Sequence, residues 1–223
     1  FLALILFFGA ILPLFSQSDS ITELQTVLLT DRKLADFSTG QQLTTISDSL
    51  LNYNQPSLSS VLNYNTPIYF KENGLGMVSS PSFRGTSASQ TAVLWNGINI
   101  NSQFNGQTDF NTLNAAGYDN ISVRGGGGSV VYGTGAIGGT VHLNTNLDFS
   151  GKTKQDIFLQ YGSFNTLDAR YKIKTSGKKW SLNVALARNS SDNDYEWPVE
   201  DRINENGEFY NNNLNIGLAY RLR

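Results

Sequence analysis

The chain has 223 residues, of which 39% are hydrophobic and only 15% charged, against a usual charged share of about 25%. Small polar residues fill the gap, with 24 Asn, 23 Ser, 17 Thr and 21 Gly; this excludes a coiled coil or a charge-laced helical bundle, and 12% aromatics exclude simple disorder. A net charge of -2 leaves no basic footprint for nucleic acid, the absence of Cys rules out disulfides, thiolate metal sites and Cys nucleophiles, and the single histidine, His142, leaves no His-based metal cluster.

Residues Phe1 to Phe15 are apolar throughout and give way to Ser16, Gln17, Ser18 and Asp19. The run suits the core of a secretory signal and is short of the roughly 20 residues of a spanning helix. No Met or basic stretch precedes it, so the expected reading is an export signal over residues 1–17 whose start lies upstream.

Residues 41–147 form a polar-rich middle segment without amphipathic alternation. Pro56 followed by Ser57 to Leu62 predicts a short helix with proline at its start. A strand is predicted at Pro67 to Phe70, a loop from Lys71 to Ser82, and a hairpin made of Thr91 to Trp95, the Asn96-Gly97 turn and Ile98 to Ile100. Further strands are predicted at Ile121 to Val123 and Thr140 to Leu143, giving an α+β globule. Gly133 to Gly138 satisfies G-x-G-x-x-G, but a dinucleotide site needs a helix to open there. The residues that follow, Gly139-Thr140-Val141-His142-Leu143, are strand-like instead, which argues against nucleotide binding.

From residue 155 the period becomes two. Ile157, Leu159 and Tyr161 alternate with Phe158 and Gln160; Leu167, Ala169, Tyr171 and Ile173 with Asp168, Arg170, Lys172 and Lys174; Trp180, Leu182, Val184 and Leu186 with Ser181, Asn183, Ala185 and Ala187. Leu214, Ile216, Leu218, Tyr220 and Leu222 make a fourth run. Runs of about ten residues suit tilted strands crossing a bilayer. A soluble meander with one wet face gives the same alternation. Short connections at Gly162 to Asn165 and Ser176 to Lys179, a long polar stretch from Asn189 to Asn213 and the export signal favour the membrane barrel. The acidic part of that stretch, residues 192–208, carries Asp192, Asp194, Glu196, Glu200, Asp201, Glu205 and Glu208. It could bind Ca²⁺, yet it lacks the Asp-x-Asp-x-Asp-Gly spacing, and a solvated loop is the simpler expectation.

Three motifs in order then resemble one family. They are Ser82-Phe83-Arg84-Gly85; Val93-Leu94-Trp95-Asn96-Gly97-Ile98-Asn99-Ile100; and Val123-Arg124-Gly125 with Ser129-Val130-Val131-Tyr132-Gly133-Thr134-Gly135-Ala136-Ile137-Gly138-Gly139-Thr140-Val141. The chain resembles the plug domain and first barrel strands of TonB-dependent outer-membrane receptors, most of all the vitamin B12 (cobalamin) branch. The resemblance implies an α+β plug at 41–147 followed by the first four antiparallel strands, 148–223, of a transmembrane β-barrel of about 22 strands. A globule of about 105 residues is ~35 Å across and needs roughly 18 to 20 strands to enclose it, so most of the barrel is expected beyond residue 223. Relatives often carry Asp where this chain has Asn96 and Glu where it has Ser122, so the family's local charge pairing is not carried across.

The family imports nutrients actively rather than catalysing a reaction. The resemblance implies a periplasmic leader at 18–40 whose Ton box, Thr26, Val27, Leu28, Leu29 and Thr30, adds as a strand to TonB, itself driven by an inner-membrane complex. It implies substrate contacts from two plug loops, with Asn73, Leu75, Gly76 and Met77 in one and Ser102, Gln103, Phe104, Asn105 and Gln107 in the other. The expected partners are TonB, a small-molecule nutrient and outer-membrane lipid, with no resident cofactor. A cobalamin is the expected cargo; an iron-siderophore, or a secreted adhesive β-protein of a different class, are the alternatives.

Overall fold

The computed structural model describes Leu34 and residues 40–53, 57–74, 76–197 and 201–222. The expected export signal, and with it the Ton box, lie outside the described residues. Strand β1 (Leu43–Ser47) leads directly into helix α1 (Asp48–Tyr53), with Asp48 in the first turn beside the free N–H groups that favour a carboxylate. Neither element is marked locally in the sequence, because β1 exists through its pairing with a strand far along the chain. Helix α2 (Leu58–Asn65) begins one residue after its N-cap, Ser57, whose hydroxyl accepts the Ser60 N–H. Leu58, Val61 and Leu62, at i, i+3 and i+4, are fully buried on one face.

The expected loop from Lys71 to Ser82 is instead a hairpin. Strand β2 (Ile68–Glu72) pairs antiparallel with β3 (Ser79–Phe83), Phe70 opposite Pro81. Ser79-Ser80-Pro81-Ser82 has little strand propensity, and Pro81 cannot donate to a ladder. The strand forms because it belongs to a separate two-stranded sheet with free edges and because Phe83 is buried opposite Ile68.

Strands β4 (Thr91–Trp95) and β5 (Ile98–Asn99) form the expected hairpin. Asn96 and Gly97 at its tip both have positive φ, 48° and 87°, as the tight two-residue turn requires. With β6 (Asn120–Gly125) and β7 (Gly139–Asn144) they build a five-stranded sheet in the order β1-β6-β7-β4-β5, in which only β4 and β7 run parallel. Ile46, Leu62, Phe83, Val93, Phe110, Ile121, Val141 and Leu143 lie in one core between this sheet and the helices. Phe70 and Phe110 meet edge to face at 5.1 Å.

Beyond the globule, β8 (Thr153–Gly162), β9 (Thr166–Ser176), β10 (Trp180–Ser191) and, after a loop, β13 (Phe209–Tyr220) form an antiparallel sheet in the order β13-β10-β9-β8. The loop holds a two-residue pair of strands, β11 (Glu196–Trp197) and β12 (Arg202–Ile203). The tight connection at Ser163 to Asn165 lies at the same edge as the long loop, since Asp192 N–H donates to Phe164 O at 2.9 Å; the turn at Gly177 to Lys179 lies at the opposite edge.

The faces of this sheet are inverted relative to a soluble one. Ile157, Leu159, Leu214, Ile216 and Leu218 are between 56% and 79% exposed. The alternate positions, Asp168, Arg170, Lys172, Ser181 and Asn183, are buried towards the globule. A soluble meander turns its apolar side onto the core. Here the polar side packs on the globule and the apolar side is bare, the arrangement of a barrel wall in lipid. Trp180 opposite Tyr220 closes one end of the apolar band, and Tyr161 and Tyr210 close the other. Ten residue steps at about 3.4 Å, tilted about 40°, span ~26 Å, close to the apolar height of an outer-membrane barrel.

Candidate functional site

The globule meets the wall through charge. Asp119, at the entry to β6 and 5% exposed, receives the Lys172 ammonium of β9 at 2.8 Å and is also paired with Lys174. Lys172 donates as well to Tyr118 O at 3.0 Å. On its other side Asp119 accepts the Asn146 N–H at 2.6 Å, and its own N–H donates to Asn144 O at 2.8 Å, so one residue ties the sheet, the segment leaving it and the wall together. Burial alone would raise the Asp119 carboxyl, but the charge and hydrogen bonds of Lys172 and Lys174 outweigh it and hold the group below the usual carboxylate value. Burial pushes the neighbouring Tyr118 phenol up to about 12, so it stays protonated. Asp48 adds a looser contact, 3.8 Å from Lys154 and 3.9 Å from Lys172.

Higher on the wall the interface is neutral. Asn211 of β13 donates to Asn111 O at 3.0 Å, and Asn213 donates to Asn211 at 2.9 Å. Gly117, in the 3₁₀ turn Ala115–Gly117, sits so close to the Asn215 side chain that a Cβ there would collide with it. Between globule and wall lies a cavity of about 400 Å³, lined by Gly76, Asn111 and Asn114 on one side and Gln160, Asp168 and Asn189 on the other. Asp168 is buried and ion-paired with Arg170 at 2.9 Å, while Arg170 stacks over Phe158 at 3.9 Å.

Two loops expected to touch substrate are held by neighbours rather than by each other. In the first, Asn73 lies at the end of the β2 strand, Gly76 (φ 75°) lines the cavity against Phe209, and Met77 is half-exposed; Leu75 lies outside the described residues. Asn111 donates to Met77 O, tying this loop to the cavity rim. In the second, the Asn101 amide accepts the Val93 N–H at 2.7 Å and donates to Thr91 O and Gly106 O at 2.9 and 2.8 Å. That clamp leaves Ser102, Gln103 and Asn105 exposed, with Phe104 99% exposed at the tip and Gln107 half-buried. Beyond the loops, the Asp109 carboxylate accepts the Ser79 N–H at the start of β3 at 2.9 Å.

The motif residues serve as scaffold. Arg84 and Gly85 turn the chain out of β3 with φ of 47° and 85°. The Asn96 side chain accepts the Thr145 N–H at 2.8 Å, locking the hairpin tip to the end of β7. Arg124 is buried beside Gly125 and donates to Gly127 O at 3.4 Å. Helix α3 (Ser129–Tyr132) precedes the glycines instead of following them, and Gly133 reverses the chain at φ 90°. Tyr132 packs edge to face on His142 at 4.9 Å. Gly138 and Gly139 are packing contacts: a Cβ on Gly139 would lie 2.7 Å from Arg124 O and 2.9 Å from the Phe83 ring. Among the described residues, no three of the acidic-loop carboxylates come together as a metal site.

The sequence by itself does not pair Asp48 and Asp119 with Lys154, Lys172 and Lys174 as a contact between globule and wall. The usable signal is Asp168, Arg170, Lys172 and Lys174 falling on one face of a strand whose other face is apolar. Such a face must meet something polar.

The family model described as TonB-dependent Receptor Plug Domain matches residues 36–140. The vitamin B12 transporter BtuB of Vibrio vulnificus (strain YJ016) is 37% identical over 92 residues, which cover 41% of this chain and 15% of that protein. The solved copper transporter OprC superposes with a TM-score of 0.68 at 19% identity, covering 81% of this chain and 28% of its own. The ferric yersiniabactin uptake receptor FyuA from Yersinia pestis gives 0.64 at 17% identity, covering 81% and 29%. The chain thus spans less than a third of the length of each of these proteins, and the structural likenesses speak to fold alone. Residues 36–140 thus carry a TonB-dependent receptor plug domain, in a chain that is similar in sequence to vitamin B12 transporters and whose plug sheet packs on the polar side of an inverted wall.

Proposed function

We propose that this chain supplies the plug and opening wall strands of a transporter that draws a scarce nutrient, a cobalamin, across the outer membrane with energy passed on by TonB. The observation that carries the reading is the inversion of the four-stranded sheet, which needs lipid outside and a plug inside. The same inversion counts against a secreted adhesive protein, which would leave that apolar band in water. Cobalamin is supported by the sequence relatives named as vitamin B12 transporters. It is supported too by loops 73–77 and 102–107, which offer amides, a hydroxyl and backbone groups without a single Lys or Arg and so suit a neutral, hydrogen-bonding ligand. A ferric siderophore is the second reading, since solved siderophore receptors share the fold. In both, residues 1–17 direct export, the leader at 18–40 presents the Ton box, and the long loop 192–208 faces outward, as long barrel loops do.

The test is uptake by the full-length gene in a host that lacks its own cobalamin receptor. The reading predicts accumulation of labelled cyanocobalamin that stops when TonB is deleted. Accumulation of a ferric siderophore but not of cobalamin would transfer the assignment to the second reading.

A further inference from the structure

The lipid-facing side of the wall is not uniform. Ala169 points outward from β9, with Leu159 directly opposite on β8 and Arg188 directly opposite on β10. Its small side chain leaves an open groove of about 560 Å³, flanked by Ile157 and Leu159 on one side and by Leu186 and Leu214 on the other. Where the groove approaches the edge carrying the long loop, the apolar pattern stops at Arg188. Arg188 is exposed and shares the outward parity of Leu186, one step further along β10.

Its guanidinium donates to Asn212 at 3.3 Å and lies 5.8 Å from the centre of the Tyr210 ring. That hydrogen bond uses one of its five N–H donors. The described residues place no carboxylate in ion-pair contact with it. A cation at the rim of a lipid-facing band, beside an interfacial Tyr and above an apolar channel, is complementary to one kind of molecule: an acyl chain continuous with an anionic headgroup.

We propose that this groove is a specific lipid site, holding one acyl chain of a phosphorylated outer-leaflet glycolipid over Ala169 and its phosphate on Arg188 and Asn212. Arginine suits this role because its planar fork matches phosphate oxygens bidentately. The site goes beyond nutrient import, because it faces lipid and not the plug.

The full-length receptor, purified from outer membranes and exchanged into mild detergent, tests it by native mass spectrometry with added diphosphoryl lipid A, dephosphorylated lipid A or phosphatidylcholine. The wild type retains diphosphoryl lipid A in preference to the other two. Arg188→Gln lowers that retention about fivefold, as loss of one interfacial cation should, and Arg188→Lys keeps most of it. Ala169→Leu fills the groove and lowers retention with the arginine still in place. Equal retention by the wild type, Arg188→Gln and Ala169→Leu would mean an annular lipid only and overturn the site, as would equal binding of the dephosphorylated lipid.

Discussion

Individual residues divide this chain into those that shape the plug and those that hold it. Gly139 and Gly125 belong to the same motif, yet the structure separates them. A Cβ at Gly139 meets the Arg124 carbonyl at 2.7 Å, whereas at Gly125 nothing lies within 4 Å. Gly139→Ala should therefore cost about 1–3 kcal/mol of stability, and Gly125→Ala should stay within about 0.5 kcal/mol, as read from denaturant midpoints of the purified receptor. Asp119 is the holding residue. Asp119→Asn strips two ammonium groups of their shared carboxylate and should cost about 3–5 kcal/mol, as breaking a buried ion pair does. The pH dependence follows from the direction of the shift. Asp119 titrates lower in the folded state than in the unfolded chain, so its contribution is fully present above the unfolded value of about 3.9 and is lost as pH falls through its depressed native value. The gap between wild type and Asp119→Asn should then close in acid. A gap that persists unchanged to pH 2 would assign the loss to packing instead.

At the scale of elements, the wall and the plug sheet answer to different rules. Each wall strand is specified by its own residues, apolar at every second position, and each tight turn by the residues within it. Ile216 lies near the middle of β13, opposite Val184 and facing outward. Ile216→Arg should cost about 2–4 kcal/mol in barrel stability, the depth-dependent penalty for a charge near the bilayer midplane, when folding into vesicles is followed by heat-resistant gel mobility. This local specification is why β8, β9, β10 and β13, and the Asn96-Gly97 hairpin, could be read from sequence. Strand β1 could not, because it is made by pairing Leu43 with Arg124 and Ser47 with Asn120. Strand β3 was obscured by serines and Pro81, residues that a free edge tolerates and a central strand would not. The candidate site shows the same division. The two plug loops carry recognisable turn and amide residues, whereas the Asp119 clamp joins positions more than fifty residues apart and depends on which strand face meets the plug.

For the whole molecule, the sheet order places β1 at an edge of the plug, the first described strand after the leader proposed at 18–40, while β6 and β7 lie in its interior beside the Asp119 clamp. A partner pulling on the leader would thus load an edge strand first. If residues 26–30 act by strand addition, Val27→Pro removes a backbone donor from that grip. Uptake should fall to background while equilibrium binding of the nutrient to the receptor stays unchanged, measured on the same cells with and without TonB. Uptake at the wild-type rate would place the grip elsewhere in the leader. Both outcomes presuppose a wall that crosses lipid with its apolar face outward. Single cysteines at Asn213, Leu214, Asn215, Ile216 and Leu218, in a full receptor in which any other cysteine has been replaced by serine, can each carry a nitroxide label in reconstituted membranes; the 223 residues of this chain contain none. A wall with its apolar face in lipid predicts that labels at 214, 216 and 218 collide readily with oxygen and poorly with a water-soluble nickel chelate, while those at 213 and 215 show no lipid exposure. Labels at 214, 216 and 218 that meet the nickel chelate freely would contradict it.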